Sequence, residues 1–199
     1  LKALIGLKAP ATGDVFFNGV NYWKSPVDEQ IRLKRKCGVT FQAGALWSSL
    51  TLAENIGLPL EEYTDLSPAA IREVASLKLS LVGLAGFEDF YPAEISGGMR
   101  KRAGLARAIA LDPEILVFDE PSAGLDPISS RRLDELIQEL RDSLGTTVVV
   151  VTHELSSIFA IGTNSIFLET ENKTMIASGH PRQLRDHSED PRVRSFLTR

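Results

Sequence analysis

Cysteine is almost missing: Cys37 stands alone among 199 residues, which excludes an intrachain disulfide and a cysteine-rich metal site and fits a reducing cytosol. Long apolar runs are missing too. The longest are strand-sized, well short of the ~18 residues that suggest a spanning helix, and no basic-then-apolar export leader opens the chain. A role at a membrane would therefore need a partner to hold the protein there. Basic excess is absent: 22 Lys and Arg against 26 Asp and Glu give a net charge of −4. A nucleic-acid reader carries a basic stripe and a raised pI, so no nucleic-acid partner is expected, and Arg100, Lys101, Arg102 and Arg107 read as a solvated helix face. No internal repeat, low-complexity tract or linker divides the chain. What remains, 43% hydrophobic and 24% charged, can bury one sizeable core.

The chemistry is concentrated in Glu94 to Pro127, EISGGMRKRAGLARAIALDPEILVFDEPSAGLDP. Ser96 occupies an N-cap position before an Ala/Leu/Arg-rich helix. Gly97 and Gly98 let backbone approach a ligand, and the free N–H groups of the helix start favour an anion; the plainer reading is a helix start after a loop. Ile115 to Phe118 is an apolar run closed by Asp119, Glu120 and Pro121, as expected of a buried parallel strand with acids at its carboxyl end. Ligands of open α/β sheets lie beyond those ends. Phosphoryl transfer needs one carboxylate for Mg²⁺ and a second group for the attacking water, and adjacent strand-end residues can divide the two jobs. Ser122-Ala123-Gly124-Leu125-Asp126-Pro127 is a turn-rich loop in which Asp126 can serve simply as an N-cap before a proline. Thr146 to Val151 is a second apolar β-branched run, placing His153 at a strand end beside Asp119 and Glu120.

The order of SGGM, strand-DE, GLD and strand-His resembles an ATP-binding cassette ATPase, with SGGM as signature motif, ILVFDE as Walker B, SAGLD as D-loop and His153 as switch histidine. The expected fold is α/β: a P-loop NTPase-like cassette, a mostly parallel sheet flanked by helices, with a helical subdomain. Residues 1–199 form a single, partial ATPase domain, with 1–42 and 112–199 as a RecA-like core lobe and 43–111 as a helical subdomain carrying the signature. Leu1 to Leu7 reads as the tail of a helix with no capping start. In the family that helix follows the phosphate loop G-x-x-x-x-G-K-[ST], which is found nowhere in the sequence. The N-terminal strands and Walker A are thus expected to be missing, and residues 1–199 alone to bind ATP very weakly and to lack ATPase activity.

Along the chain, Asp14 to Phe17 with Asn18-Gly19 reads as a strand and tight turn. Ser25-Pro26 opens a charged helix to about Lys36. Gly38 to Phe41 is the next buried strand, with Gln42 at its end: either a polar loop start or, by resemblance, the Q-loop glutamine. Thr51-Leu52-Ala53-Glu54 is a capping box for a short helix ended by Pro59. Ser67-Pro68 starts another helix, with Ile71, Val74, Leu77 and Leu81 down one face. Trp47 and Leu50 are core residues or a greasy patch offered to another protein. Beyond His153 a helix to about Ile161 precedes strands at 165–168 and 175–177, joined by a polar turn at 171–173.

FQAGALW from Phe41, NIGLPL from Asn55, the Met99 of SGGM where most transporter cassettes carry Gln, and the terminal DPRVRSFL narrow the resemblance to the ATPase subunits of Mla/Mce-type phospholipid transporters. The resemblance implies a head-to-tail homodimer on the cytoplasmic face of the inner membrane, an integral-membrane permease and an Mce-domain substrate-binding protein as partners, and ATP and Mg²⁺ as cofactors. Asp119 and Gln42 serve the metal, Glu120 the attacking water, His153 and Gln42 the γ-phosphate and metal. Ser96, Gly97, Gly98 and Met99 meet the nucleotide held by the partner, and Asp126 bridges to the partner's phosphate loop. Rival readings are a DNA- or ribosome-directed ATPase, which lacks here its coiled-coil insertion or tandem cassette, and a non-catalytic scaffold cassette.

Overall fold

A computed structural model describes residues 1–41, 44–169 and 173–199. Its centre is a three-stranded parallel sheet of β3 (Cys37–Thr40), β4 (Ile115–Asp119) and β5 (Thr147–Val151), in spatial order β3-β4-β5. Parallel neighbours need crossover connections, and the chain supplies them. Between β3 and β4 lie α2 (Leu52–Tyr63), α3 (Pro68–Leu81) and α4 (Gly97–Ala108); between β4 and β5 lies α5 (Pro127–Leu144). Registers run from Cys37↔Ile115 to Thr40↔Phe118 and from Ile115↔Thr147 to Asp119↔Val151. The carboxyl ends of β4 and β5 are therefore flush. The expected α/β class with a mostly parallel sheet is what the chain adopts.

Local signals fix most boundaries. Asn18 and Gly19, both at positive φ, turn β1 (Phe16–Phe17) into β2 (Val20–Asn21), the backbone of a two-residue hairpin. Helix α1 (Val27–Arg35) follows Ser25-Pro26. Thr51 and Glu54 form the capping box of α2, Ser67 caps α3 ahead of Pro68, and Ser96 caps α4. Leu1 to Leu7 forms a single turn that stops as helices stop: Leu7 N–H donates to Lys2 C=O at 2.9 Å and Gly6 N–H to Ala3 C=O at 3.4 Å, the paired bonds of a Schellman closure.

Two expectations fail on tertiary packing. Pro59 does not end α2, which continues to Tyr63. An interior proline costs about 3 kcal/mol, but Ile56 and Leu60 on either side of it are buried, and at about 1.5–3 kcal/mol per fully buried side chain that packing carries the helix through. Leu77 and Leu81 of α3 face solvent; the buried stripe is Ile71, Ala75, Lys78, Leu79 and Val82. Lys78 reaches that stripe because its ammonium pairs with Asp112 at 2.5 Å.

The core runs unbroken from the helices into the sheet, joining Leu52, Ile56, Leu79, Leu84, Leu105 and Ile109 to Leu116, Phe118, Leu133 and Ile137. After β5 come α6 (Leu155–Ile161), an antiparallel pair β6 (Ser165–Leu168) and β7 (Met175–Gly179), then α7 (Pro181–His187) and α8 (Pro191–Leu197). The expected turn at 171–173 lies partly outside the described residues. No helix among the described residues is long and apolar enough to cross a membrane.

Candidate functional site

Three residues, Asp119, Glu120 and His153, stand where β4 and β5 end. Asp119 is the last residue of β4, paired with Val151. The chain then bends sharply: Glu120 has φ +49°, a left-handed conformation that costs a non-glycine residue roughly 1–3 kcal/mol. Its N–H donates to Val151 C=O at 2.8 Å, so the bend still extends the ladder by one bond. The bend turns the Glu120 side chain toward His153, whose Nδ1 lies 2.8 Å from Glu120 Oε1. That hydrogen bond, then the carboxylate's charge, raises the imidazole pKa above its ordinary value. Glu120 Oε2 is buried with no partner among the described residues. An acceptor left bare in this way costs about 1–3 kcal/mol.

The donor set bears on the metal. No group of three or more His, Cys, Asp or Glu among the described residues could cage an ion. Mg²⁺ asks for less, one or two carboxylates with waters and substrate phosphates completing its octahedron, so a strand-end Asp119 fits Mg²⁺ and does not fit a protein-enclosed metal. Gln42, the second expected ligand, lies outside the described residues.

The Ser96-Gly97-Gly98-Met99 segment opens α4, with Ser96 Oγ accepting from Met99 N–H at 3.2 Å. Asp126 caps α5: its Oδ1 accepts from the N–H groups of Ile128 and Ser129, both at 3.0 Å, and the bonds to Ser129 hold its pKa below the ordinary carboxylate value. The capping reading of Asp126 is thus realised, on one carboxylate oxygen.

The basic residues of α4 are not a solvated face. Each one donates to backbone carbonyls of a separate loop. Arg100 reaches Ile95 at 2.8 Å, Lys101 reaches Pro121 and Ala123 at 2.6 Å each, Arg102 reaches Val82 at 2.9 Å, and Arg107 reaches Ala45 at 2.7 Å. Burial lowers the pKa of Lys101, Arg102 and Arg107. A run of cations reads locally as solvated; only the long-range path of the loops shows otherwise. Gly104 admits one of those loops, since a Cβ there would stand 2.8 Å from Gly44 O.

Asn55 is a second residue that the sequence reading missed. Fully buried on α2, it accepts from Trp47 N–H at 2.7 Å and donates to the carbonyls of Trp47, Leu50 and Thr51. A signal existed: an amide on the apolar stripe of Leu52, Ile56 and Leu60 is out of place unless it has work to do. Held at its backbone by Asn55, Trp47 stays 62% exposed and lines a groove of ≈ 340 Å³ with Lys34, Arg35, Tyr63 and Arg107. Cys37 also lines that groove, and burial pushes its thiol up to about 11.

A parallel sheet with adjacent acids and a histidine closing neighbouring strands, together with a Ser-Gly-Gly start to α4, is the arrangement of an ATP-binding cassette. The chain belongs to the ABC transporter family, whose pattern it matches over residues 1–123. It is 40% identical to the probable ribonucleotide transport ATP-binding protein mkl of Mycobacterium tuberculosis, over 99% of this chain and 54% of that protein. It is 38% identical to the intermembrane phospholipid transport system ATP-binding protein MlaF of Escherichia coli, over 99% of this chain and 72% of that protein. The chain thus spans about half the length of the first of these relatives. A dimeric ATP-binding cassette in a post-hydrolysis state, bound to ADP and phosphate, superposes with a TM-score of 0.79 at 29% identity, covering 90% of this chain and 78% of that one.

Proposed function

We propose that this chain forms the greater part of an ATP-hydrolysing subunit that powers a membrane transporter of phospholipid from the cytoplasmic face of the inner membrane. The observation that carries the reading is the 2.8 Å contact between His153 Nδ1 and Glu120 Oε1 one residue beyond Asp119. Glu120 orients the attacking water and accepts its proton, while His153 holds the carboxylate in place through Oε1 and turns its remaining ring nitrogen to the γ-phosphate. Asp119, with Gln42, would hold Mg²⁺, which when bound neutralises charge on the phosphate oxygens. Ser96 and the α4 N-terminus present donors to the nucleotide of a second copy arranged head to tail, and Asp126 meets that copy's phosphate loop. Closing the pair around ATP and opening it after hydrolysis is a differential-affinity switch.

The phosphate loop itself is assigned to the free edge of β5. Among the described residues β5 pairs only with β4, and Val149 and Val151 stand exposed on it. A further parallel strand there would deliver a loop beside His153 and Asp119. The division into lobes 1–42 with 112–199 and 43–111 is retained, and the loop from Gln42 to Leu50, with Trp47 at its tip, would meet the permease. Phospholipid rather than ribonucleotide is proposed as cargo on the resemblance of FQAGALW, NIGLPL, SGGM and DPRVRSFL to Mla/Mce-type subunits, and the similarity to MlaF supports it. Analysing what copurifies with the permease complex separates the two; an Mce-domain protein is the expected third component.

The decisive experiment is Glu120→Gln in the complete subunit. Turnover should fall about 10²- to 10⁴-fold, the size of a general-base effect, with ATP binding retained. Turnover close to wild type removes Glu120 from the mechanism.

A further inference from the structure

Lys101 lies outside every motif, yet it ties together two parts of the site that the proposed function assigns to different nucleotides. It stands on α4, five residues after Ser96. Its Nζ donates to Pro121 O and to Ala123 O, 2.6 Å from each, so one ammonium straddles the turn between Glu120 and Asp126. The carboxylate nearest to it in electrostatic effect is Glu120. Ser122, between the two gripped carbonyls, is buried with its hydroxyl unpartnered among the described residues. The segment therefore has no side-chain anchor of its own there. Leu125 lies close by as well: a Cβ added at Gly98 would come 3.9 Å from its Cδ2, so the far end of the turn lies near the helix start.

From this geometry we infer that Lys101 is a positioning residue that couples the two nucleotide sites of the dimer within a single subunit. Resting on the proposed function, the step is short. The N-terminus of α4 reads the nucleotide held by the partner copy; Glu120 acts on the nucleotide of its own copy. A rigid helix carries any displacement of Ser96 to Lys101, and two charge-assisted hydrogen bonds carry it to the peptide that follows Glu120. Because Glu120 already sits at a left-handed φ, a shift of Pro121 is taken up by that bend and re-aims the carboxylate. Two sites so joined respond to ATP together, and coupling of this kind is read as cooperativity.

The test uses the complete subunit in four forms: wild type, Glu120→Gln, Lys101→Met and Lys101→Arg. ATP-concentration curves give kcat, KM and the Hill coefficient, and thermal melts check folding. Wild type is expected to show a Hill coefficient above one, bounded by about two for two sites. Lys101→Met keeps its melting temperature within a few degrees and its KM within about threefold, loses about 5- to 100-fold in kcat, the scale of a misplaced catalytic group, and falls to a Hill coefficient of about one. Lys101→Arg, which keeps charge and donors, recovers most of both. A Lys101→Met protein with wild-type kcat and Hill coefficient overturns the inference while the Glu120→Gln control leaves the ATPase reading standing. So does a Lys101→Met protein slowed but still cooperative, which makes the residue a structural strut, or a wild type that is not cooperative. Absence of ATPase activity in the wild type overturns the proposed function and the coupling with it.

Discussion

The helices α2 to α4 and the strands β5 to β7 dispose of their apolar side chains in opposite ways. In the helical layer Leu52, Ile56, Ala75, Leu79 and Leu105 are sealed against one another and against β4, and the connecting loops are clamped by Asn55 and by the four cations of α4. On the strand side Ile166 is 62% and Leu168 75% exposed, and Val149 and Val151 stand open at the sheet edge. Both faces of a parallel sheet are normally covered, so the helical layer is a finished structure and the β5 side is a surface awaiting a partner. The lesson is about where the site lies. Asp119, Glu120 and His153 stand on the border, held from the finished side and open on the unfinished one.

The comparison breaks most visibly at ATP. If the open edge of β5 is where the phosphate-bearing strand belongs, residues 1–199 alone should not bind ATP at micromolar concentration, and a longer chain carrying that strand should. Micromolar affinity is worth about 8 kcal/mol, the largest effect foreseen. Isothermal titration of both chains decides it, and micromolar binding by residues 1–199 would show that the edge needs no completion.

Mutational cost is the next contrast. Ile56→Ala, in the sealed layer, should lower the free energy of unfolding of residues 1–199 by about 2–5 kcal/mol. Ile166→Ala, on the open strand, should change it by no more than about 0.5 kcal/mol. Urea unfolding measures both. Equal costs would mean that the exposed strand is already covered in solution. A smaller effect, about 1–3 kcal/mol for a buried group deprived of its hydrogen bonds, is expected for Asn55→Ala, together with a change in fluorescence from Trp47. Unchanged emission and unchanged stability would deny Asn55 its role as the clamp of that loop.

The two regions were not equally legible in the sequence. Strand-end acids and the strand-end histidine could be read because a run of apolar β-branched residues followed by a polar one is a local pattern, and parallel pairing then brings the ends together without further information. Thr51, Ser67, Ser96 and Asn18-Gly19 were legible for the same reason, each acting within about four residues of itself. Pro59 misled because its local effect is real and is outweighed by burial of Ile56 and Leu60. Leu77 and Leu81 mislead because apolar spacing alone puts them on the buried face, whereas the true stripe includes Lys78, neutralised by Asp112 from another part of the chain. The clamps of α4 were invisible because a cation and a distant carbonyl leave no mark of spacing. The left-handed bend at Glu120 was equally hidden, since nothing in Asp-Glu-Pro asks for positive φ in advance.

The smallest predicted effect tests how the site's two flanking helices are joined. Asp134 of α5 is buried, and its Oδ2 accepts from Ser157 Oγ of α6 at 2.8 Å while Oδ1 has no partner among the described residues. Burial raises its pKa above the ordinary 3.8, the Ser157 hydroxyl opposes that shift, and the charges of Glu135 and Glu154 add to it. The folded state therefore binds this proton more tightly than the unfolded one. Its contribution to stability is complete below the unfolded value and is lost as pH rises through the folded value. Asp134→Asn keeps an acceptor for Ser157 and abolishes the titration. Its urea midpoint should gain on the wild type as pH rises above the ordinary carboxylate range, a difference that parallel profiles would rule out. An acid that costs stability near neutrality fits a junction more than a core, because α5 begins at the Asp126 cap and α6 begins directly after His153 and its neighbour. The Asp134 to Ser157 hydrogen bond fixes the spacing of those two helix starts, and an apolar pair would leave it free to slide.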